Sequence, residues 1–68
     1  MIVYVLYTWF TDNLNQVYTN PFAIVDSLAE GYELFTTLKD LKECYVTEYY
    51  VNSVKEIDCE LKTYYWVK

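Results

Sequence analysis

Sixty-eight residues with 54% apolar and 21% aromatic side chains predict one folded domain over 1–68 and exclude a disordered chain. Ten acidic residues face five lysines, with no arginine, for a net charge of −5; direct nucleic-acid binding draws on cations and is not expected. Histidine is absent as well, which removes triads, imidazole bases and His metal sites, so neither catalysis nor a bound cofactor is expected.

Ile2 to Phe10 is an unbroken run of β-branched and aromatic residues and reads as a strand. One side carries Ile2, Tyr4, Leu6, Thr8 and Phe10, the other Val3, Val5, Tyr7 and Trp9. Both sides are apolar, which marks a central strand buried on two faces. The run is about half the ~18–20 residues of a membrane span. It also lacks the cationic region and small-residue cleavage site of a secretory signal. These features predict a cytoplasmic protein without membrane association, in which Cys44 and Cys59 stay reduced and act as small core hydrophobes.

Thr11 to Gln16 has the Asp and Asn content of a loop, and Val17-Tyr18-Thr19 suggests a short second strand against the first. Asn20-Pro21 reads as a helix start, with Asn capping free amides and Pro at the first helical position. Phe22, Val25, Leu28 and Ala29 recur at helical spacing and Gly31 suits a stop, so a helix is predicted over Pro21–Glu30. A link at Gly31–Thr36 and a second short helix at Thr37–Glu43 follow; one helix running through Gly31 is the alternative.

Cys44 to Lys68 holds two β-rich runs separated by Asn52-Ser53 and reads as a β-hairpin. A two-residue turn at Asn52-Ser53 sets Cys59 opposite Val46 and Asp58 opposite Thr47. It is preferred to a three-residue connection, which would bury Tyr45, Thr47 and Tyr49 and set Glu48 across from an acidic residue. Ile57, Cys59, Leu61 and Tyr65 then form the core side, while Tyr45, Thr47 and Tyr49 share the outer side with Glu60 and Lys62. Tyr64 and Trp66 break the alternation, being large aromatics on the outer parity. The expected architecture is α+β: a three- to four-stranded, mostly antiparallel sheet with one or two short helices on one face.

Such a chain buries only roughly 60% of the surface its unfolded form exposes, and oligomerisation is a common remedy. The sequence has more aromatic surface than one or two short helices can cover. Tyr7 and Trp9 from the first strand, with Tyr64 and Trp66 from the last, are expected to form an outward aromatic patch, the composition of a binding hot spot. Glu48, Asp58 and Glu60 add an acidic element, with Asp58 and Glu60 about 7 Å apart on one strand. These seven residues are the candidate partner-binding set. A homodimer or higher homo-oligomer would bury the same aromatics.

The strand MIVYVLYTWF, the join VYTNPFAIVDSLAEG and the hairpin CYVTEYYVNSVKEIDCELKTYYWVK together resemble the small, acidic, Tyr-rich α+β proteins of bacteriophage early and accessory regions. The resemblance is one of style across the whole chain and carries no site residues with it. It implies a protein-binding module that occludes a host or defence-system protein in the host cytoplasm. The alternatives it implies are an acidic mimic of nucleic acid, blocking a DNA- or RNA-binding protein, and a homo-oligomeric sponge for a nucleotide signal.

Overall fold

The computed structural model describes the backbone of residues 1–53 and 56–68, and the side chains of residues 1–51 and 60–68. The first apolar run forms β1 (Ile2–Thr11) and takes the expected central place, paired at both edges. The expected burial of both its faces is corrected: the helix covers the Leu6 side, and Tyr7 and Trp9 on the other are only half-buried. β1 is followed by β2 (Val17–Val25), a helix α1 (Leu28–Thr37), β3 (Glu43–Ser53) and β4 (Glu56–Val67). The sheet order is β2-β1-β3-β4 and every neighbouring pair is antiparallel. The chain is therefore a small α+β fold with four strands and, among the described residues, one short helix.

The loop from β1 to β2 lies where its composition places it. The Asp12 carboxylate accepts from the amides of Leu14 at 2.8 Å and Gln16 at 3.0 Å and from the Tyr18 hydroxyl at 3.0 Å. The Gln16 amide, then that of Leu14 and the Tyr18 hydroxyl, outweigh the opposing effect of burial and hold the carboxyl below its ordinary range. Asn15 takes the left-handed turn with φ 61°, a conformation Asn tolerates well.

The predicted helix over Pro21–Glu30 is corrected. Asn20 and Pro21 lie inside β2, at a bulge where Leu6 pairs with Ala23 but Tyr7 pairs with Pro21. The extra residue is Phe22, which packs against the core. Proline has no amide to give a ladder, and β2 is an edge strand, where that loss is tolerated. The helix starts seven residues later than expected, at Leu28 behind the N-cap Ser27, whose hydroxyl accepts from the Glu30 amide at 3.2 Å. Ser27 followed three residues on by Glu30 is a more specific start signal than Asn-Pro.

The helix runs through Gly31 rather than ending there, and Gly31 is buried against the sheet. A β-carbon at Gly31 would stand 3.2 Å from Val25 Cγ2, 3.4 Å from Leu6 Cδ1 and 3.5 Å from Trp66 Cη2. The bare backbone thus lets the helix lie close on the sheet. No helix forms at Thr37–Glu43: α1 ends at Leu38, whose amide reaches the Leu34 carbonyl at 3.2 Å, and a turn leads into β3. Lys68 Nζ donates to the Leu38 carbonyl at 2.6 Å, bringing positive charge to the helix end that favours it.

Leu6, Phe35, Cys44 and Val46 fill the space between helix and sheet and are essentially inaccessible to water. Cys44 is a free thiol in this core, and burial pushes it up from its ordinary pKa against a smaller lowering effect of Lys68. Cys59 lies opposite Tyr50 in the backbone ladder, and its side chain lies outside the described residues. Among the described residues no helix is long and apolar enough to cross a membrane.

The hairpin register also differs from the expected one. β3 continues through Asn52-Ser53, with Ser53 opposite Glu56; Val46 faces Tyr64 instead of Cys59, and Thr47 faces Thr63 instead of Asp58. Val46 is thus five positions out of the expected register, an odd slip that exchanges the faces of the end of β4. A further shift follows, since Glu48 pairs with Lys62 but Tyr49 with Glu60, leaving Leu61 as the extra residue.

The Ser27 cap is separate from all these packing contacts. Ser27→Ala is expected to lower unfolding free energy by about 1 kcal/mol in urea titrations without changing the sheet signal in circular dichroism.

Candidate functional site

One helix covers one face of the sheet. On the other face, directly opposed residues form rows across the strands: Val5, Thr47 and Thr63 in one, Tyr7, Tyr45 and Tyr65 in the next. Trp9 lies beyond, on the same side of β1. Its ring centroid is 4.7 Å from Tyr45 and 6.0 Å from Tyr65, and those two tyrosines are 5.1 Å apart. The planes are tilted by 36–48°, and all three centroid distances fall within the range of interacting aromatic pairs. Tyr45 and Tyr65 remain 39% and 51% exposed, and among the described residues no helix packs over them as α1 does over Leu6.

Next to the cluster, the hydroxyls of Tyr7 and Tyr49 are hydrogen-bonded at 2.9 Å. Burial first, then the Tyr49 hydroxyl and the nearby charge of Glu60, push Tyr7 up from 10.0 to about 12. Tyr65 donates a hydrogen bond to the Glu43 carboxylate, and this bond is the main reason its phenol is also held above the ordinary value. Between these rings lies a shallow hollow of about 280 Å³, lined by Tyr7, Thr19, Tyr45, Thr47, Tyr49 and Thr63. Glu60 stands at its edge and accepts from the Thr63 hydroxyl at 3.2 Å.

The predicted partner-binding set is divided between the two faces. Tyr7, Trp9 and Glu60 are on the open face. Trp66 is on the helix face, with its ring 5.2 Å from Tyr32 edge-on and 5.8 Å from Phe35. Tyr64 is on that same face, donating at 3.4 Å to Glu48, with the Lys62 ammonium 5.0 Å from its ring centroid. Glu48 therefore belongs to the helix side too, near the Tyr4 hydroxyl, whose pKa is raised by burial and then by that carboxylate. The Asp58 side chain lies outside the described residues.

The expected patch of Tyr7, Trp9, Tyr64 and Trp66 is thus corrected: β1 and β4 are separated by β3, and the two pairs face opposite ways. Tyr45, Tyr49 and Tyr65 take the places of Tyr64 and Trp66. Tyr45, Thr47 and Tyr49 fall on the uncovered side, where the expected hairpin faces already put them. Tyr65, which the alternation places on the core side, lies instead on the open face. The signal for it was in the sequence: Tyr64 and Trp66 on the outer parity are what a register slip or bulge produces.

Comparisons of the chain with protein-family models, curated proteins and solved structures find no match.

The opposite roles of the two tryptophans give a direct test. Trp66→Ala is expected to cost about 3–5 kcal/mol, enough to unfold a domain of this size, whereas Trp9→Ala should leave a cooperative thermal transition. A second test uses the Tyr7 phenol. Because its folded pKa exceeds its unfolded value, its contribution to stability is complete below pH 10 and is lost as pH rises through about 12. Ultraviolet titration should show tyrosines ionising above the ordinary range, and Tyr7→Phe should remove a step near pH 12.

Proposed function

We propose that this chain is a protein-binding module that acts by occlusion, laying its open aromatic face on a host or defence-system protein. The observation that carries the reading is the cluster of half-buried Trp9 with exposed Tyr45 and Tyr65, on a sheet face that no helix among the described residues covers. Tyrosine and tryptophan bring large rigid contact area at low entropic cost, which is why they dominate interface hot spots. Glu43 and Glu60 border the cluster and give the face a negative rim. The resemblance to small phage accessory proteins supplies the direction of the effect, inhibition of a host or defence component.

The acidic-mimic reading draws less support. A mimic needs its carboxylates in a row, and Glu48 and Glu60 point to opposite faces of the sheet. A nucleotide sponge would need cations beside its aromatics, and two of the five lysines, Lys62 and Lys68, lie over the rings of Tyr64 and Phe35 on the helix side. A second copy of the chain is the other occupant the face could take.

The double variant Trp9→Ala/Tyr65→Ala tests the proposal in affinity capture from host lysate, with light scattering to count subunits. The wild-type chain is expected to retain one dominant protein, and the variant to lose it by about thirtyfold or more, the effect of removing a hot-spot contact of about 2 kcal/mol. Retention of that protein by the double variant, with loss in Lys62→Glu on the helix face, would overturn the reading.

A further inference from the structure

We infer that the hollow beside the aromatic cluster is a receptor for an arginine side chain, so that the open face recognises a basic segment of its partner. This rests on the reading above that the face meets a protein. All six described residues lining the hollow, Tyr7, Thr19, Tyr45, Thr47, Tyr49 and Thr63, carry a hydroxyl. None of them is cationic, and the charged group at the edge is the Glu60 carboxylate, held by Thr63. The walls are tyrosine rings, while Thr47 at the base is only 7% exposed.

A guanidinium suits these features together. It is planar and stacks on aromatic faces, it is weakly hydrated, and it has five N–H donors and no acceptor. The hollow offers hydroxyl oxygens as acceptors and one carboxylate for a charge-assisted bond. The paired Tyr7 and Tyr49 hydroxyls keep lone pairs for a donor, and Tyr7 holds its proton far above neutral pH. An ammonium could pair with Glu60 but would use the rings less well, being compact and strongly hydrated. A wholly apolar side chain would strand the hydroxyls, and a phosphate or carboxylate would meet Glu60. The net charge of −5 steers a basic segment toward the protein, and the hollow selects within it.

The probe is a short acetylated and amidated Gly-Arg repeat peptide, compared at low salt with its Gly-Lys counterpart by amide chemical shifts of the full chain. The Gly-Arg peptide is expected to bind at least about tenfold more tightly, the worth of one charge-assisted hydrogen bond, with shifts centred on Tyr7, Thr47, Tyr49 and Thr63. Glu60→Gln should weaken it about tenfold while leaving the melting temperature unchanged. Equal affinity for the two peptides, or shifts spread over both faces, would show charge attraction alone and overturn the inference. So would adenosine monophosphate moving the same resonances, which assigns the hollow to a nucleotide. A dimer in light scattering that Trp9→Ala/Tyr65→Ala dissolves would assign the face to a second copy, with the same consequence. If the captured host protein depends on Trp9 and Tyr65 but binds Glu60→Gln normally, the arginine site fails and the protein-binding face stands. If it depends on neither, the face itself is wrong.

Discussion

The close approach of α1 to the sheet at Gly31 is the contact from which the rest of the arrangement follows. A β-carbon there would press on Val25 Cγ2 at 3.2 Å and lie in ordinary contact with Leu6 and Trp66, so its absence lets the helix sit this low without displacing Val25. Lying low, a ten-residue helix closes over Leu6, Cys44 and Val46 with little more than Phe35 as its own buried side chain. Its remaining reach is supplied from below. Trp66 extends from the edge strand β4 to meet Tyr32 and Phe35, and so serves as part of the cover as much as part of the sheet.

That demand on Trp66 orients β4. With Trp66 and Tyr64 turned toward the helix, strand alternation sends Tyr65 to the other side, where it meets Trp9 and Tyr45. The extra residue Leu61 then changes parity, so that Lys62 stands beside Glu48 on one face and Glu60 beside Tyr49 on the other. The open face is therefore a consequence of how the core is closed. Its aromatic residues are the ones that a single helix leaves over, and they shield Val5 and Thr47, which are nearly inaccessible with no helix above them.

Much of this was legible before the structure. The two apolar sides of Ile2–Phe10 point to a central strand, the loop expected at Thr11–Gln16 is present but begins one residue later because Thr11 ends β1, and the hairpin nature of Cys44–Lys68 is clear from its composition. The helix was misplaced because Asn20-Pro21 imitates a capped start, and only the pairing of β2 with β1 shows Pro21 at an edge-strand bulge. Ser27 and Glu30 carried the better signal. The site was half legible for a related reason: Tyr7, Trp9 and Glu60 depend on local alternation, whereas the sidedness of Tyr64, Tyr65 and Trp66 depends on a long-range register. Local pattern gives strands readily; it gives their phase only when no residue is inserted.

The two faces differ in a way that burial alone does not explain. The helix side is sealed by Leu, Val, Phe and Cys, with its polar atoms confined to the rim at Glu48 and Tyr64. The open side has hydroxyls at its centre, from Thr47 and Thr63 outward to Tyr7 and Tyr49. A face buried against a wholly apolar surface would leave those groups without partners, a cost of about 1–3 kcal/mol for each one stranded. Water can satisfy them in the free protein, and a donor-rich partner can satisfy them in a complex. The mixture of ring walls, hydroxyl floor and acidic edge therefore argues for an occupant that brings hydrogen-bond donors and positive charge, which a second acidic chain without arginine is poorly equipped to bring.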